Sequence, residues 1–270
     1  MEFRKRILFG LIVSATVLSC SKSNDNSVAE SESNTEVKPI NRADIPAGFE
    51  DAHVCKDVYL PGTTPRGAVI ASKKWKNGSV ITVRMFGGSA KVRSKVMQYA
   101  SEWSKYANIT FKFVDTGVAQ LRITFTQGAG SYSYYGTDAL YRTSDQETMN
   151  FGWFNDNTSD TEFSRTVVHE FGHALGLIHE HQHPLVNIPW DKDKVYRYYA
   201  GAPNYWTKQQ VDDNLFAKYS TTQTQYSSYD TKSIMHYEVS SALTTNGFSV
   251  GSNTVLSATD KQFIAQVYPK

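Results

Sequence analysis

Residues 169–179 read His169-Glu170-Phe171-Gly172-His173-Ala174-Leu175-Gly176-Leu177-Ile178-His179. This spacing leaves little freedom in what can be built around it. Four helical residues turn a chain by about 400°, so His169 and His173 stand one turn apart on one helix face. Both imidazoles can then reach a single metal ion. Glu170 is offset by one residue and falls beside that ion, placed to take a proton from a water rather than to act as a ligand. Gly176 is the residue that takes positive φ cheaply, so the helix can stop there and the chain can swing back with His179 as third ligand. Three neutral imidazoles leave a fourth position open, the pattern of a catalytic rather than a structural zinc site. The chain has 7 histidines, and His181 and His183 follow the motif directly. They are expected at the surface or on a pocket rim, because three nitrogens already complete the protein's share of ligands.

The flanking sequence predicts a mixed domain. Val80 to Met85 reads as a strand, and Ser89 to Ala107 as a helix with Val92, Val96, Tyr99, Ala100 and Trp103 on one face. Ile109, Phe111 and Phe113 alternate, as do Leu121, Ile123 and Phe125, until Gly128-Ala129-Gly130 breaks the pattern. Glu147 to Trp153 reads as a further strand, and Thr161 to Leu175 as a helix closed by Gly176. Thr207-x-x-Gln210 and Ser257-x-x-Asp260 look like capping boxes. Strands first, with helices mixed in later, indicate an α+β fold.

At 270 residues, 40% hydrophobic and 20% charged, the chain has enough apolar material for a real core. Its 28 Lys+Arg against 26 Asp+Glu leave a charge of +2, which argues against a dedicated binder of nucleic acid or anionic membrane. Two cysteines exclude a disulfide-dense scaffold. Arg4, Lys5 and Arg6 precede an apolar run from Ile7 to Leu18, too short to cross a hydrocarbon core of about 30 Å. This reads as an export signal over residues 1–20. Val17-Leu18-Ser19-Cys20 resembles a bacterial lipobox, which would make Cys20 a lipidated first residue. The alternative is an ordinary signal peptide cut nearby, with Cys20 lost. Either way the expected destination is outside the cytoplasm, secreted or held on a membrane by lipid before activation. Ser21 to about Arg42 is polar and poor in aromatics, and reads as a disordered tether. No later stretch is apolar over the ~18 residues that a spanning helix needs.

The signature at 169–179 resembles that of the metzincin zinc endopeptidases, and Glu180 directly after the third histidine is the mark of their astacin branch. Ser233-Ile234-Met235-His236-Tyr237 is similar to that family's Met-turn. Tyr229-Asp230, Leu256 to Asp260, Trp75-Lys76-Asn77-Gly78 and the glycine-rich stretch 128–136 also fit, so the resemblance covers about 67–270. It implies a metzincin/astacin-like catalytic domain: a twisted mixed sheet plus helices in an N-terminal subdomain, a zinc cleft, and a mostly irregular C-terminal subdomain. It implies one Zn²⁺ held by His169, His173 and His179, Glu170 as general base and then acid, and Met235 as a floor beneath the metal. Tyr237 would reach the zinc at rest and stabilise the oxyanion during attack, and Glu180 would pair with a newly cut N-terminus. Asn150 and Phe151 would lie on an edge strand to which an extended protein or peptide substrate adds. Family members commonly carry disulfides, whereas here Ser131 stands where a cysteine is expected and no cysteine follows residue 55.

Cys55 is the only thiol left once Cys20 is spent, and it lies upstream of the catalytic domain. A thiolate is a strong zinc ligand at about 2.3 Å, so Cys55 is expected to fill the open metal position in a latent precursor. Many astacins use an aspartate after a phenylalanine instead, which makes Asp51 the rival latch; a buried, inert Cys55 is the third reading. Residues 21–66 would then be a propeptide, removed at or near Arg66–Gly67 by a trypsin-like protease or by the enzyme itself.

Overall fold

The computed structural model describes residues 54–61, 70–202, 204–221 and 226–270. Cys20, Asp51, Arg66 and Gly67 lie outside the described residues. Among the described residues, no helix is long and apolar enough to cross a membrane.

A single turn, α1 (Ile70–Lys73), precedes a five-stranded sheet in the order β2-β1-β3-β5-β4. Its strands are β1 (Val80–Phe86), β2 (Thr110–Phe113), β3 (Leu121–Thr124), β4 (Tyr132–Ser133) and β5 (Met149–Asn150). β1 buries Ile81, Val83 and Met85 and turns the residues between them outward, the period of two that its sequence carries. β2, β1, β3 and β5 run parallel, and β4 pairs antiparallel to β5. Parallel neighbours need crossovers, and α2 (Ala90–Ser104) supplies the one from β1 to β2. Ser89 caps α2 by accepting from the Val92 N–H at 3.2 Å.

α2 lies along α3 (Asp160–Ala174), the helix that carries the first two histidines. Val92, Val96, Ala100 and Trp103 of α2 share one apolar core with Phe163, Val167, Phe171 and Ala174 of α3. The Trp103 indole N–H donates to the Val168 carbonyl at 2.7 Å, and Phe171 meets Phe111 edge to face at 4.8 Å. α3 is thus fixed lengthwise and in rotation before any metal is considered.

The sheet departs from the sequence expectation at its margin. Asn150 is interior, paired on both sides, and Phe151 is wholly buried; the edge strand is β4. The Asn150 amide donates to the carbonyls of Gly130 and Thr126 at 2.7 and 3.2 Å, and its oxygen accepts from the Thr126 N–H at 2.8 Å. This folds the glycine-rich loop back so that Tyr132 and Ser133 pair outside β5. Ser131 is fully buried and accepts from the Gly152 N–H through its hydroxyl.

Beyond Gly176 the described residues form short elements: α4 (Lys192–Tyr199), α5 (Lys208–Val211) running into a π-helical turn at Asp212–Phe216, and α6 (Ala258–Val267). Both capping boxes form, at Thr207–Gln210 and at Ser257–Asp260. Two smaller apolar clusters fill this part, one around Tyr199, Trp206 and Leu215 and one around Val186, Val239 and Val250.

Candidate metal centre

α3 starts at Ser159, whose hydroxyl accepts from the Glu162 N–H at 3.2 Å, and ends in a Schellman motif at Gly176. There the Gly176 N–H donates to the His173 carbonyl at 2.7 Å and the Leu177 N–H to the Gly172 carbonyl at 3.0 Å, with Gly176 at φ +92°. A residue with a side chain would be strained at this angle. The turn returns the chain so that His179 faces His169 and His173, with ring centroids 5.1 and 4.4 Å away.

The three Nε2 atoms lie 3.0–3.2 Å from one another. His169 and His173 point their Nδ1 atoms at the carbonyls of Ile234 and Leu177, both at 2.8 Å. An Nδ1–H donated to a carbonyl leaves Nε2 as a lone pair. Burial pushes all three rings well toward the neutral form, His169 down to about 4. Neutral nitrogens converging on one point repel unless a cation lies between them, so the donor set fits zinc.

Cys55 completes the cluster, its Sγ and the three ring nitrogens all lying within 4.8 Å of one another. Burial raises the Cys55 thiol, and the nearby Glu170 and Asp57 carboxyls raise it further. A thiolate here therefore needs a positive ion beside it. Cys55 sits against the edge strand in a parallel bridge to Ser131, with the Lys56 N–H on the Ser131 carbonyl at 3.0 Å. Its own carbonyl accepts from the Tyr237 hydroxyl.

Glu170 is fully buried, neither carboxyl oxygen has a hydrogen-bond partner of good geometry among the described residues, and burial pushes it up to about 8. Met235 is buried under the histidines, its sulfur within the space that a Cβ on Gly172 would fill. Only glycine at 172 lets that thioether approach the helix.

Glu180 accepts the Asp230 N–H at 2.8 Å, and burial lifts its carboxyl to about 8. It lines a recess with Leu177, Ile178, Asp230 and Asp260. His181 and His183 are buried rather than at the surface, and His183 lines the same recess as Glu180, the pocket-rim alternative of the sequence reading. His181 stacks on Tyr237 at 4.3 Å and hydrogen-bonds the Asn214 carbonyl at 2.7 Å, while His183 reaches the Ser227 carbonyl at 2.9 Å. They are buried because the irregular backbone around them has carbonyls that need donors.

Three contributors went unseen in the sequence. Asp260 closes the α6 capping box and also accepts from the Ser233 hydroxyl at 2.7 Å and the Ile234 N–H at 2.9 Å, which ties down the turn carrying Met235. The box was legible; the second use of its carboxylate was not. Nothing in the sequence marks Gly172 as the position against which a sulfur packs. Tyr135 lies edge-on to His173 at 4.9 Å and had no signal at all.

A mixed sheet backing a helix, three converging imidazoles and a buried carboxyl beside them define a zinc-dependent hydrolase. Residues 68–268 match the peptidase family Astacin. A solved structure of myroilysin is 76% identical, with a TM-score of 0.74, covering 76% of this chain and 99% of that one. High choriolytic enzyme 1, a hatching enzyme zinc-protease from Oryzias latipes, shares the fold at 21% identity and a TM-score of 0.50, covering 73% of this chain and 95% of that one. Matrix metalloproteinase-2 of Drosophila melanogaster is 28% identical over 125 residues, 40% of this chain and 16% of that much longer protein. The chain belongs to the astacin family of zinc endopeptidases.

Proposed function

We propose that the chain is exported as a latent zinc endopeptidase, with residues 1–20 as signal peptide, 21–66 as propeptide and 67–270 as catalytic domain. The observation that carries this reading is Cys55 within 4.8 Å of all three ring nitrogens, in the place where a fourth ligand belongs. The basic, apolar leader ending at Cys20 supports export, with lipid anchorage of the precursor if Cys20 is acylated.

Bound zinc supplies the positive charge that polarises a substrate carbonyl and makes a water acidic. Glu170 takes the proton from the attacking water and hands it to the leaving nitrogen; a C–O bond forms, the C–N bond breaks and the proton count closes. Tyr237 donates its hydroxyl to the carbonyl oxygen as charge builds there. Its bond to the Cys55 peptide carbonyl supports this role, since that group is of the same kind. The edge at β4 offers backbone pairing to an extended protein substrate, and Lys56 already pairs with Ser131 just before it. Near-neutral charge gives no reason to expect nucleic acid as a partner.

Activation requires a cut at or near Arg66–Gly67, by a trypsin-like protease or by the enzyme itself. The Lys73 carbonyl is 3.8 Å from where a Cβ on Gly176 would stand, so the end of α1 lies beside the end of the zinc helix. Glu180, whose buried carboxyl lacks a cation to favour its charged form, would gain one in the new ammonium and ionise against it.

The test is the full-length Cys55→Ala precursor. It is expected to hydrolyse casein without prior cleavage; a variant that stays latent overturns the cysteine cap. Glu170→Ala is expected to keep zinc while kcat falls about 10²–10⁴-fold.

A further inference from the structure

Two of the three imidazoles have their Nδ1 partners inside the catalytic domain, the carbonyls of Ile234 and Leu177. His179 is set differently: inside the catalytic domain the buried Gln182 side chain neighbours it without an aligned hydrogen bond to Nδ1, and the carboxylate oxygen 3.1 Å from that atom is Asp57 Oδ1. Asp57 belongs to the same upstream segment as Cys55. Its side chain is 1% exposed. It is also held from two sides. The Tyr135 hydroxyl donates to the same Oδ1, and the Asn214 side-chain oxygen accepts the Asp57 N–H at 3.1 Å; Tyr59 in turn stacks on the Tyr135 ring at 5.9 Å. Asn214 is itself fixed through its amide on the Gln210 carbonyl at 2.6 Å. A carboxylate placed this firmly against a ligand imidazole orients the ring and makes its other nitrogen a better donor to the metal.

We infer that Asp57 is a positioning residue for His179, a second point of attachment by which the propeptide holds the zinc as well as capping it. The inference rests on the proposed reading of residues 21–66 as a propeptide lodged in the site. Removal of that segment would take away the third ligand's carboxylate together with the thiolate. The precursor would therefore be the tight-binding form of the metal site and the processed enzyme the looser one.

The experiment uses the full-length precursor, unsubstituted and as Asp57→Asn, Asp57→Ala and Cys55→Ala. Zinc release to a chromogenic chelator gives the rate. The thiolate-to-metal charge-transfer band of the cobalt-loaded protein reports whether Cys55 stays on the metal. Asp57→Ala is expected to release zinc about tenfold faster with the band intact, and Asp57→Asn, which keeps an acceptor without the charge, to fall between. Release within twofold of the unsubstituted precursor overturns the inference. So does faster release with the band lost, because Asp57 would then dock the propeptide rather than hold His179. Cys55→Ala separates the two readings. If it releases zinc no faster than the unsubstituted precursor, the cysteine cap fails, while the Asp57 comparison, made with Cys55 in place, still stands or falls by its own rates.

Discussion

Between Val80 and Ala174 the backbone is taken up by five strands and two long helices, and the apolar side chains meet in one cluster. From Leu177 to Thr254 the described residues form short helices, 3₁₀ turns and isolated bridges; Leu177, Ile234 and Met235 join the large cluster, and most of the other buried apolar residues fall into two smaller ones. The second region is held instead by side chains bonded to backbone, such as Asp260 to Ile234, His181 to Asn214 and Asn253 to Ser233. Each region supplies part of the metal centre. The regular one carries His169, Glu170 and His173 on a rigid helix, and the irregular one carries Glu180, Met235 and Tyr237. Precision in the first comes from close packing, and in the second from satisfied polar groups. The two should respond differently to substitution.

The largest effect should come from the packed region. Phe171→Ala empties a fully buried site against Phe111 and Phe113 and is expected to cost about 3–5 kcal/mol in urea unfolding. A loss under about 1 kcal/mol would break the comparison. Next comes Asp260→Ala, which removes a cap and strands the Ser233 hydroxyl and the Ile234 N–H. About 2–3 kcal/mol is expected, with weaker zinc retention in chelator competition. Gly172→Ala probes the seam between the regions, where a methyl must displace the Met235 sulfur. Calorimetry should register about 1–3 kcal/mol.

The smallest effect concerns pH. Burial raises Glu180 to about 8, above the 4.5 of a free glutamate. Between those values the folded precursor binds more protons than the unfolded chain, so this residue makes stability fall as pH rises through that window. Glu180→Gln should flatten the fall and stabilise the precursor by about 1 kcal/mol near pH 8. Urea midpoints at pH 5 and pH 8 test it, and unchanged pH dependence would show that the recess is wet.

The same contrast explains what could be read from sequence. Helical spacing in 89–107 and 161–175 and alternation in 80–85 are local patterns, and the elements appear where those patterns predict. The metal-ligand spacing is local too. The edge of the sheet was misplaced at Asn150 because strand order depends on how a glycine-rich loop folds back, and that turns on one amide reaching Gly130 and Thr126. The burial of His181 and His183 is not legible because a histidine that serves a distant carbonyl looks, in sequence, like one that faces water; only the pocket-rim alternative fits, and only for His183. Asp57 contacts residues far along the chain, and no periodicity records such a meeting.

Asp260 joins two things usually considered apart, the first turn of α6 and the loop beneath the histidines. A carboxylate cannot release one without releasing the other. On warming, fraying of that helix and collapse of the catalytic apparatus should therefore coincide as a single thermal event, with no interval in which an intact but inert protein accumulates.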